Sequence, residues 1–118
     1  MSDLNSIDKE LNQQITQGKA LDAFETYYAD DVVMQENTDD PRKGKAACRE
    51  AEHQFFASIE QVHRVELISA AVGADVSFSE WSFDFTYKDG NRRKMEQVSR
   101  RRWKDGKVVD ERFYYKAG

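Results

Sequence analysis

The last third of the chain contains one turn sequence twice, as Tyr87-Lys88-Asp89-Gly90-Asn91 and as Trp103-Lys104-Asp105-Gly106-Lys107. Each Lys-Asp-Gly separates two runs rich in aromatic and β-branched residues. This pattern is typical of a three-residue hairpin loop whose Gly takes the left-handed conformation and forms a bulge. The two turns therefore predict three consecutive antiparallel strands, near residues 75–87, 91–103 and 107–116.

The same turns predict the register of these strands and so the residues that share a face. Pairing Tyr87 with Asn91 places Trp81 opposite Gln97, and pairing Trp103 with Lys107 places Arg101 opposite Val109. By the same counting, Phe83 lies opposite Met95, Phe85 opposite Arg93, Ser99 opposite Glu111, and Gln97 opposite Phe113. The residues predicted to share one face are Trp81, Phe83, Phe85, Met95, Gln97, Ser99, Arg101, Val109, Glu111, Phe113 and Tyr115.

This aromatic face contains a polar stripe that a simple hydrophobic core does not need. Gln97, Arg101 and Glu111 lie in its middle, and such a mixture is typical of a lined ligand cavity. Because burying Arg101 and Glu111 unpaired would be expensive, we expect a salt bridge between them inside the cavity. The pair has two interpretations, a structural ion pair or a site for a carboxylate or carbonyl group of a ligand.

The opposite face of the strands is predicted to be polar. It pairs Asp84 with Lys94 and Arg100 with Asp110, which places opposite charges directly across from each other. This face is either solvated or covered by another subunit.

The first half of the chain has the pattern of helices around a short strand. Helical spacing of apolar residues predicts helices over residues 3–17, 20–28 and 45–57, with a short strand at 32–36 between the second and third. A long strand is predicted over 59–72. Helices followed by a run of antiparallel strands indicate the α+β class, with helices packed on one face of a sheet.

Composition limits the classes of function. The chain has 118 residues and a net charge of −4, so we expect one domain without a basic footprint for nucleic acid. The single cysteine, Cys48, excludes an intramolecular disulfide. No signal peptide or membrane span is apparent, which predicts a cytoplasmic protein. His53 and His63 lie on separate elements without the spacing of metal ligands, so no metal and no cofactor is expected.

The segment Tyr28-Ala29-Asp30-Asp31-Val32-Val33-Met34-Gln35-Glu36, followed by a loop that closes with Pro41-Arg42-Lys43-Gly44-Lys45, has a familiar arrangement. Together with the four strands after it, this arrangement resembles the nuclear transport factor 2-like superfamily and, within it, the SnoaL-like proteins. The resemblance covers about residues 5–115. It implies a cone in which a curved antiparallel sheet wraps around three N-terminal helices (a cystatin-like roll), often dimeric through the outer face of the sheet. We therefore expect a single SnoaL-like domain over residues 1–118 that forms a homodimer.

The superfamily includes ketosteroid isomerases, polyketide cyclases and binding modules without activity, so the fold alone does not decide the function. Glu36 matches the position of the catalytic carboxylate of ketosteroid isomerases. The positions of their two oxyanion donors correspond here to Leu11 and Ser99. Leu11 can donate nothing and Ser99 is a weak donor, which argues against steroid-type enolisation.

Two residues are candidates for acid–base chemistry. Glu36 ends a strand with Met34 on its inner face, where aromatic surroundings are expected to raise its pKa. The alternative is that Glu36 lies at the solvent mouth or pairs with Arg101 or Arg42. His63 is predicted to face the cavity as an acid–base group, and the alternative is a hydrogen-bonded strand histidine.

We therefore predict a protein that binds a small hydrophobic or aromatic organic molecule, and one hypothesis is that it also catalyses a cofactor-free reaction of the isomerase, cyclase or dehydratase type. The alternative is a ligand-binding or protein-interaction module without activity. The predicted pocket lining is Met34, Trp81, Phe83, Phe85, Met95, Gln97, Ser99, Arg101, Glu111, Phe113 and Tyr115, with Glu36 and His63 as the catalytic candidates.

Overall fold

A computed structural model describes residues 3–117. The described residues form six strands in one curved sheet, and three helices pack on one face of that sheet. The elements are α1 (Leu4–Thr16), α2 (Ala20–Tyr27), β1 (Tyr28–Glu36), β2 (Arg42–Lys43), α3 (Lys45–Ala57), β3 (Ile59–Val72), β4 (Val76–Tyr87), β5 (Arg92–Lys104) and β6 (Lys107–Tyr115). The expected α+β cone is confirmed.

The sheet is mixed, whereas the sequence predicted a wholly antiparallel one. Its strand order is β2-β1-β6-β5-β4-β3, and β1 runs parallel to β6 while the other neighbours are antiparallel. The connection allows the parallel pair: α3 and four strands separate β1 from β6, and a parallel pair needs such a long crossover.

The strand β1 begins at Tyr28, four residues earlier than predicted. Asp30 and Asp31 were expected to break the chain between helix and strand. Both are exposed within the strand, in a segment where the register with β6 is irregular between Tyr28 and Val33. The two carboxylates therefore lie in a bulged part of an extended segment, and they leave the buried face to Tyr28 and Val32.

The hairpin between β4 and β5 has the predicted turn and register. Tyr87 donates its backbone N–H to the Asn91 carbonyl at 2.8 Å, and Gly90 has a φ of 89°. Trp81 lies opposite Gln97 and Phe83 opposite Met95, as predicted.

The hairpin between β5 and β6 has a different turn from the predicted one. Lys104 pairs with Lys107, and both loop residues, Asp105 and Gly106, have positive φ values of 52° and 76°. The loop has two residues because the predicted pairing would place Lys107 beside the buried Trp103. The observed pairing places Val108, which is fully buried, in that position.

An irregularity between Arg102 and Trp103 then shifts the register by one further residue. The sum of the two shifts is two residues, which is one full period of a strand, so the face assignment survives. Val109 was predicted on the inner face, and Val108 takes that place. Arg101 lies opposite Glu111, Ser99 opposite Phe113 and Gln97 opposite Tyr115.

The outer face keeps its opposite charges in altered pairs. Arg100 lies opposite Arg112 rather than Asp110, yet its guanidinium reaches the Asp110 carboxylate diagonally at 2.9 Å. Asp84 lies opposite Lys94 as predicted, but its carboxylate binds the guanidinium of Arg92.

The helices pack on the inner face through a core of apolar side chains. Leu11 of α1 and Phe24 of α2 are buried against Val32 and Met34 of β1 and Trp103 of β5. The Asp3 side chain caps α1 by accepting a hydrogen bond from the Ser6 backbone N–H at 2.8 Å. This packing leaves a gap between the helices and the middle of the sheet.

Candidate functional site

A cavity of about 670 Å³ lies between the inner face of the sheet and the helices. Its volume is within the ~300–1,000 Å³ that small-molecule sites occupy. The structure brings all the predicted lining residues to this cavity: Met34, Trp81, Phe83, Phe85, Met95, Gln97, Ser99, Arg101, Glu111, Phe113 and Tyr115. Glu36 and His63 also border it.

One wall of the cavity is a continuous aromatic surface. Alternate residues of β4 point to the same side, and the rings of Trp81 and Phe83 stack at 5.7 Å and those of Phe83 and Phe85 at 5.5 Å. Phe55 of α3 extends the surface, edge-on to Phe85 at 5.9 Å. This wall offers aromatic faces and edges to a bound molecule.

A buried ionic network forms another part of the lining. Arg101 is 2% exposed, and its guanidinium donates to Glu111 Oε2 at 2.9 Å, to Asp8 Oδ1 at 2.9 Å and to Asn12 Oδ1 at 2.7 Å. The expected salt bridge between Arg101 and Glu111 is thus present. Asp8 and Asn12 are one helical turn apart on α1, so α1 supplies both additional acceptors.

Three further side chains complete the network. The Tyr28 hydroxyl donates to Glu111 Oε1, and the Ser77 hydroxyl donates to Asp8 Oδ1 at 2.8 Å. The Trp103 indole N–H donates to the Ser77 oxygen at 2.9 Å. Because its carboxylates are hydrogen-bonded on several sides, the network satisfies its own polar groups.

Burial and neighbouring charge act in opposite directions on the titration of these groups. Burial raises the pKa of Glu111, while Arg101 and the Tyr28 hydroxyl act to lower it. Burial and the Glu111 carboxylate raise the pKa of Tyr28 well above its usual value. Tyr28 therefore stays protonated and donates its hydrogen bond throughout the neutral range.

Glu36 forms an ion pair with Arg42, which is one of the alternatives that the sequence left open. Its Oε2 is 2.9 Å from the Arg42 guanidinium, and both side chains are about one-third exposed, at 28% and 32%. Strands β1 and β2 place the two residues together, since Met34 pairs with Arg42 in the sheet.

His63 is exposed in an irregular part of β3. Its Nε2 lies 2.7 Å from the Thr86 hydroxyl, which belongs to the outer face of β4. The ring is therefore at the rim of the cavity, engaged by a neighbouring strand rather than directed at the aromatic wall.

Glu52 of α3 is a cavity residue that was not among the predicted lining residues. Burial, together with the nearby Glu111 and Glu36 carboxylates, raises its pKa to about 7, and Arg42 opposes the shift. The available signal was helical spacing: Glu52, Phe55 and Phe56 lie on one face of α3. A carboxyl group that titrates near neutral pH can act as a general acid or base.

Residues 3–117 were also searched for a membrane-spanning helix and for a metal site. No helix in this range is long and apolar enough to cross a membrane. Nor do the described residues bring together three or more His, Cys, Asp or Glu side chains that could hold a metal ion.

The sequence model of the SnoaL-like domain matches residues 11–111. A crystal structure from Mesorhizobium loti, of a proposed SnoaL-like polyketide cyclase, is similar at 30% identity with a TM-score of 0.85, covering 97% of this chain and 100% of that one. The chain therefore belongs to the SnoaL-like family. Comparison with curated protein sequences finds no match.

More distant structures share the fold. An NTF2-like protein of unknown function from Burkholderia pseudomallei is 13% identical with a TM-score of 0.82, covering 98% of this chain and 92% of its own. A protein with a ketosteroid isomerase-like fold from Catenulispora acidiphila, solved in complex with trimethylamine, is 19% identical with a TM-score of 0.75, covering 92% and 84%. At such identities the similarity supports the fold alone.

Replacing Arg101 is expected to destabilise the protein strongly. Arg101→Ala leaves the Asp8 and Glu111 carboxylates buried without a counter-charge, which typically costs about 3–5 kcal/mol. The measurement is urea unfolding followed by circular dichroism. Arg49→Ala is the control, because the Arg49–Glu25 pair is exposed and its loss should change the unfolding free energy little. Equal effects of both variants would contradict the role given to the network.

The pKa of Glu52 predicts a pH-dependent stability. Its pKa is raised from 4.5 in the unfolded chain to about 7 in the fold, so the fold favours the protonated form. The wild type therefore loses stability as the pH rises from about 4.5 to 7. Glu52→Gln removes this loss and should be on the order of 2–3 kcal/mol more stable than wild type at pH 8, but close to it at pH 5.

Urea unfolding across this pH range measures the effect. Glu50→Gln removes an exposed carboxylate from the same helix and should show no such trend. A constant difference between Glu52→Gln and wild type over the whole range would refute a carboxyl that titrates near neutral pH.

Proposed function

We propose that this SnoaL-like protein binds a small, largely apolar organic molecule in the cavity between the sheet and the helices. The observation that carries the proposal is a continuous aromatic wall of Trp81, Phe83, Phe85 and Phe55 in a cavity that Glu52 also lines. Such a wall supplies apolar contact area, and a few polar groups fix the orientation of the ligand. Arg101 shapes the cavity rather than holding the ligand, because Glu111, Asp8 and Asn12 already occupy its guanidinium.

Cofactor-free acid–base catalysis is the second candidate function, favoured by the Glu52 pKa of about 7. A carboxyl group with this pKa can both accept and return a proton at neutral pH. Glu36, paired with Arg42, and Glu111, paired with Arg101, are the other carboxyl groups at the cavity. The related structure from Mesorhizobium loti, at 30% identity, is of a proposed polyketide cyclase, which is consistent with this chemistry.

Binding of an uncharged apolar probe tests the first proposal. Nile red should bind with one site per chain and emit more strongly in the apolar cavity. Met95 is paired with Phe83 on the neighbouring strand of the same sheet face. Met95→Trp therefore places a larger side chain in the cavity and should weaken binding of the probe at least tenfold by filling the space. Glu96→Trp, on the next residue and the outer face, should leave the affinity unchanged. If Met95→Trp binds the probe as wild type does, the cavity is not the binding site.

We also propose that the protein forms a homodimer through the outer face of the sheet. Phe78, Val98 and Tyr114 are exposed there by 44%, 37% and 42%. Val98 lies directly opposite Tyr114 in the sheet. Charges of both signs surround these side chains, including Glu96 and Arg112, so a two-fold axis can bring unlike charges together.

Sedimentation equilibrium tests the dimer. The wild type should sediment as a dimer at micromolar concentration, and Val98→Lys should sediment as a monomer because it places like charges at the centre of the contact. Ala46→Lys adds the same charge on α3, on the other side of the sheet, and should stay dimeric. A monomeric wild type at 100 micromolar, or a dimeric Val98→Lys, would contradict the proposed interface.

A further inference from the structure

One carboxyl group of the cavity has no counter-charge. Glu36 pairs with Arg42 and Glu111 pairs with Arg101. Within residues 3–117, no side chain donates a hydrogen bond to the Glu52 carboxyl and no basic group forms an ion pair with it. A carboxyl group that is partly buried and left without a partner is expensive, so its retention calls for an explanation.

The charges around Glu52 favour a positive ligand over a negative one. The groups that act on it are Glu111 on β6, Glu36 on β1 and Arg42 on β2. The single charge of Arg101 is shared between Glu111 and Asp8, so it leaves no excess positive charge in the interior. Beside Glu52, an anionic ligand would have to compete with these carboxylates for the guanidinium groups of Arg42 and Arg101, whereas a cation would meet an uncompensated carboxylate. Arg64 and Arg93 also border the cavity, but neither is among the groups that act on Glu52.

The aromatic residues beside Glu52 suit the same ligand. Phe55 and Phe56 follow Glu52 by three and four positions on α3, so they share its side of the helix. Phe55 contacts Phe85, which begins the stacked series with Phe83 and Trp81. Aromatic faces attract organic cations, and the apolar groups on such a cation pack against the rings.

We propose that the cavity binds an organic ammonium ion, with the charged nitrogen beside the Glu52 carboxylate and the apolar part along the wall of Trp81, Phe83 and Phe85. This inference rests on the proposed function, namely that the cavity binds a small organic molecule, and it names the chemical class of that molecule. The carboxylate supplies the charge complementarity and the rings supply the contact area.

The test compares two ligands of the same shape that differ in charge, benzyltrimethylammonium and neopentylbenzene, by isothermal titration calorimetry at pH 8. The wild type should bind the cation at least tenfold more tightly than the uncharged molecule. Glu52→Gln should lose tenfold or more in affinity for the cation and keep its affinity for neopentylbenzene. Glu50→Gln, which removes an exposed carboxylate two residues away, should match the wild type with both ligands.

The pH dependence gives a second readout that a merely structural role of Glu52 would not produce. Because the pKa of Glu52 is about 7, raising the pH from 6 to 8 increases the fraction of carboxylate. Affinity for the permanently charged cation should therefore rise over this range in the wild type. In Glu52→Gln the affinity should stay constant over the same range.

The outcomes separate this inference from the function on which it rests. If the wild type binds neopentylbenzene as tightly as the cation, or if Glu52→Gln binds the cation as the wild type does, the ammonium inference is overturned while the cavity remains a binding site. If the wild type binds neither of these molecules and does not bind Nile red, the proposed function fails together with the inference. Circular dichroism of Glu52→Gln checks that the variant is folded.

Discussion

The guanidinium of Arg101 carries a positive charge in a place from which water is excluded, and much of the structure is arranged around it. Removing such a charge from water costs several kcal/mol unless neighbouring groups replace its hydration. Asp8 and Asn12 of α1 and Glu111 of β6 supply that replacement. Since α1 and β6 come from opposite ends of the chain, satisfying this one charge fixes both ends against β5.

The network reaches further through the groups that satisfy its carboxylates. Tyr28 ties the beginning of β1 to Glu111, and Ser77 ties the beginning of β4 to Asp8. One side of the cavity is therefore held by hydrogen bonds with defined geometry, whereas the aromatic wall is held by apolar packing. The polar groups of the network are already satisfied, so other polar groups of the cavity, among them Glu52 and the Glu36–Arg42 pair, are the ones that can interact with a ligand.

The two hairpins show how much of this arrangement the sequence could predict. The same Lys-Asp-Gly sequence forms a three-residue loop before Asn91. Before Lys107 only its Asp105 and Gly106 form the loop, because Lys104 is paired in the strand. Local turn chemistry allows both, so the choice depends on burial elsewhere: only the two-residue loop places Val108 rather than Lys107 beside Trp103 in the core. The face of each strand was predictable because a shift of two residues restores the alternation.

The ion pair of Arg101 with Glu111 was predictable for the same reason, since alternation along the two paired strands places both side chains on the inner face of the sheet. Asp8, Asn12 and Glu52 were not, because they come from helices whose rotation against the sheet is set by tertiary packing. The raised pKa of Glu52 results first from burial and then from Glu111 and Glu36, and all three act on it only in the folded chain.

Membership of the SnoaL-like family constrains the shape of the cavity more than its chemistry. Structures that are 10–19% identical to this chain keep the fold, so the residues that line the cavity are free to differ between them. The resemblance to ketosteroid isomerases predicts that Leu11 and Ser99 correspond to the positions of their two oxyanion donors. Ser99 accepts a hydrogen bond from the Gln97 amide at 3.3 Å, and Leu11 belongs to the apolar core. A developing negative charge would thus find little stabilisation, whereas a positive charge would meet both the Glu52 carboxylate and the aromatic faces beside it. The part of the lining around Glu52 therefore suits a cation better than an anion.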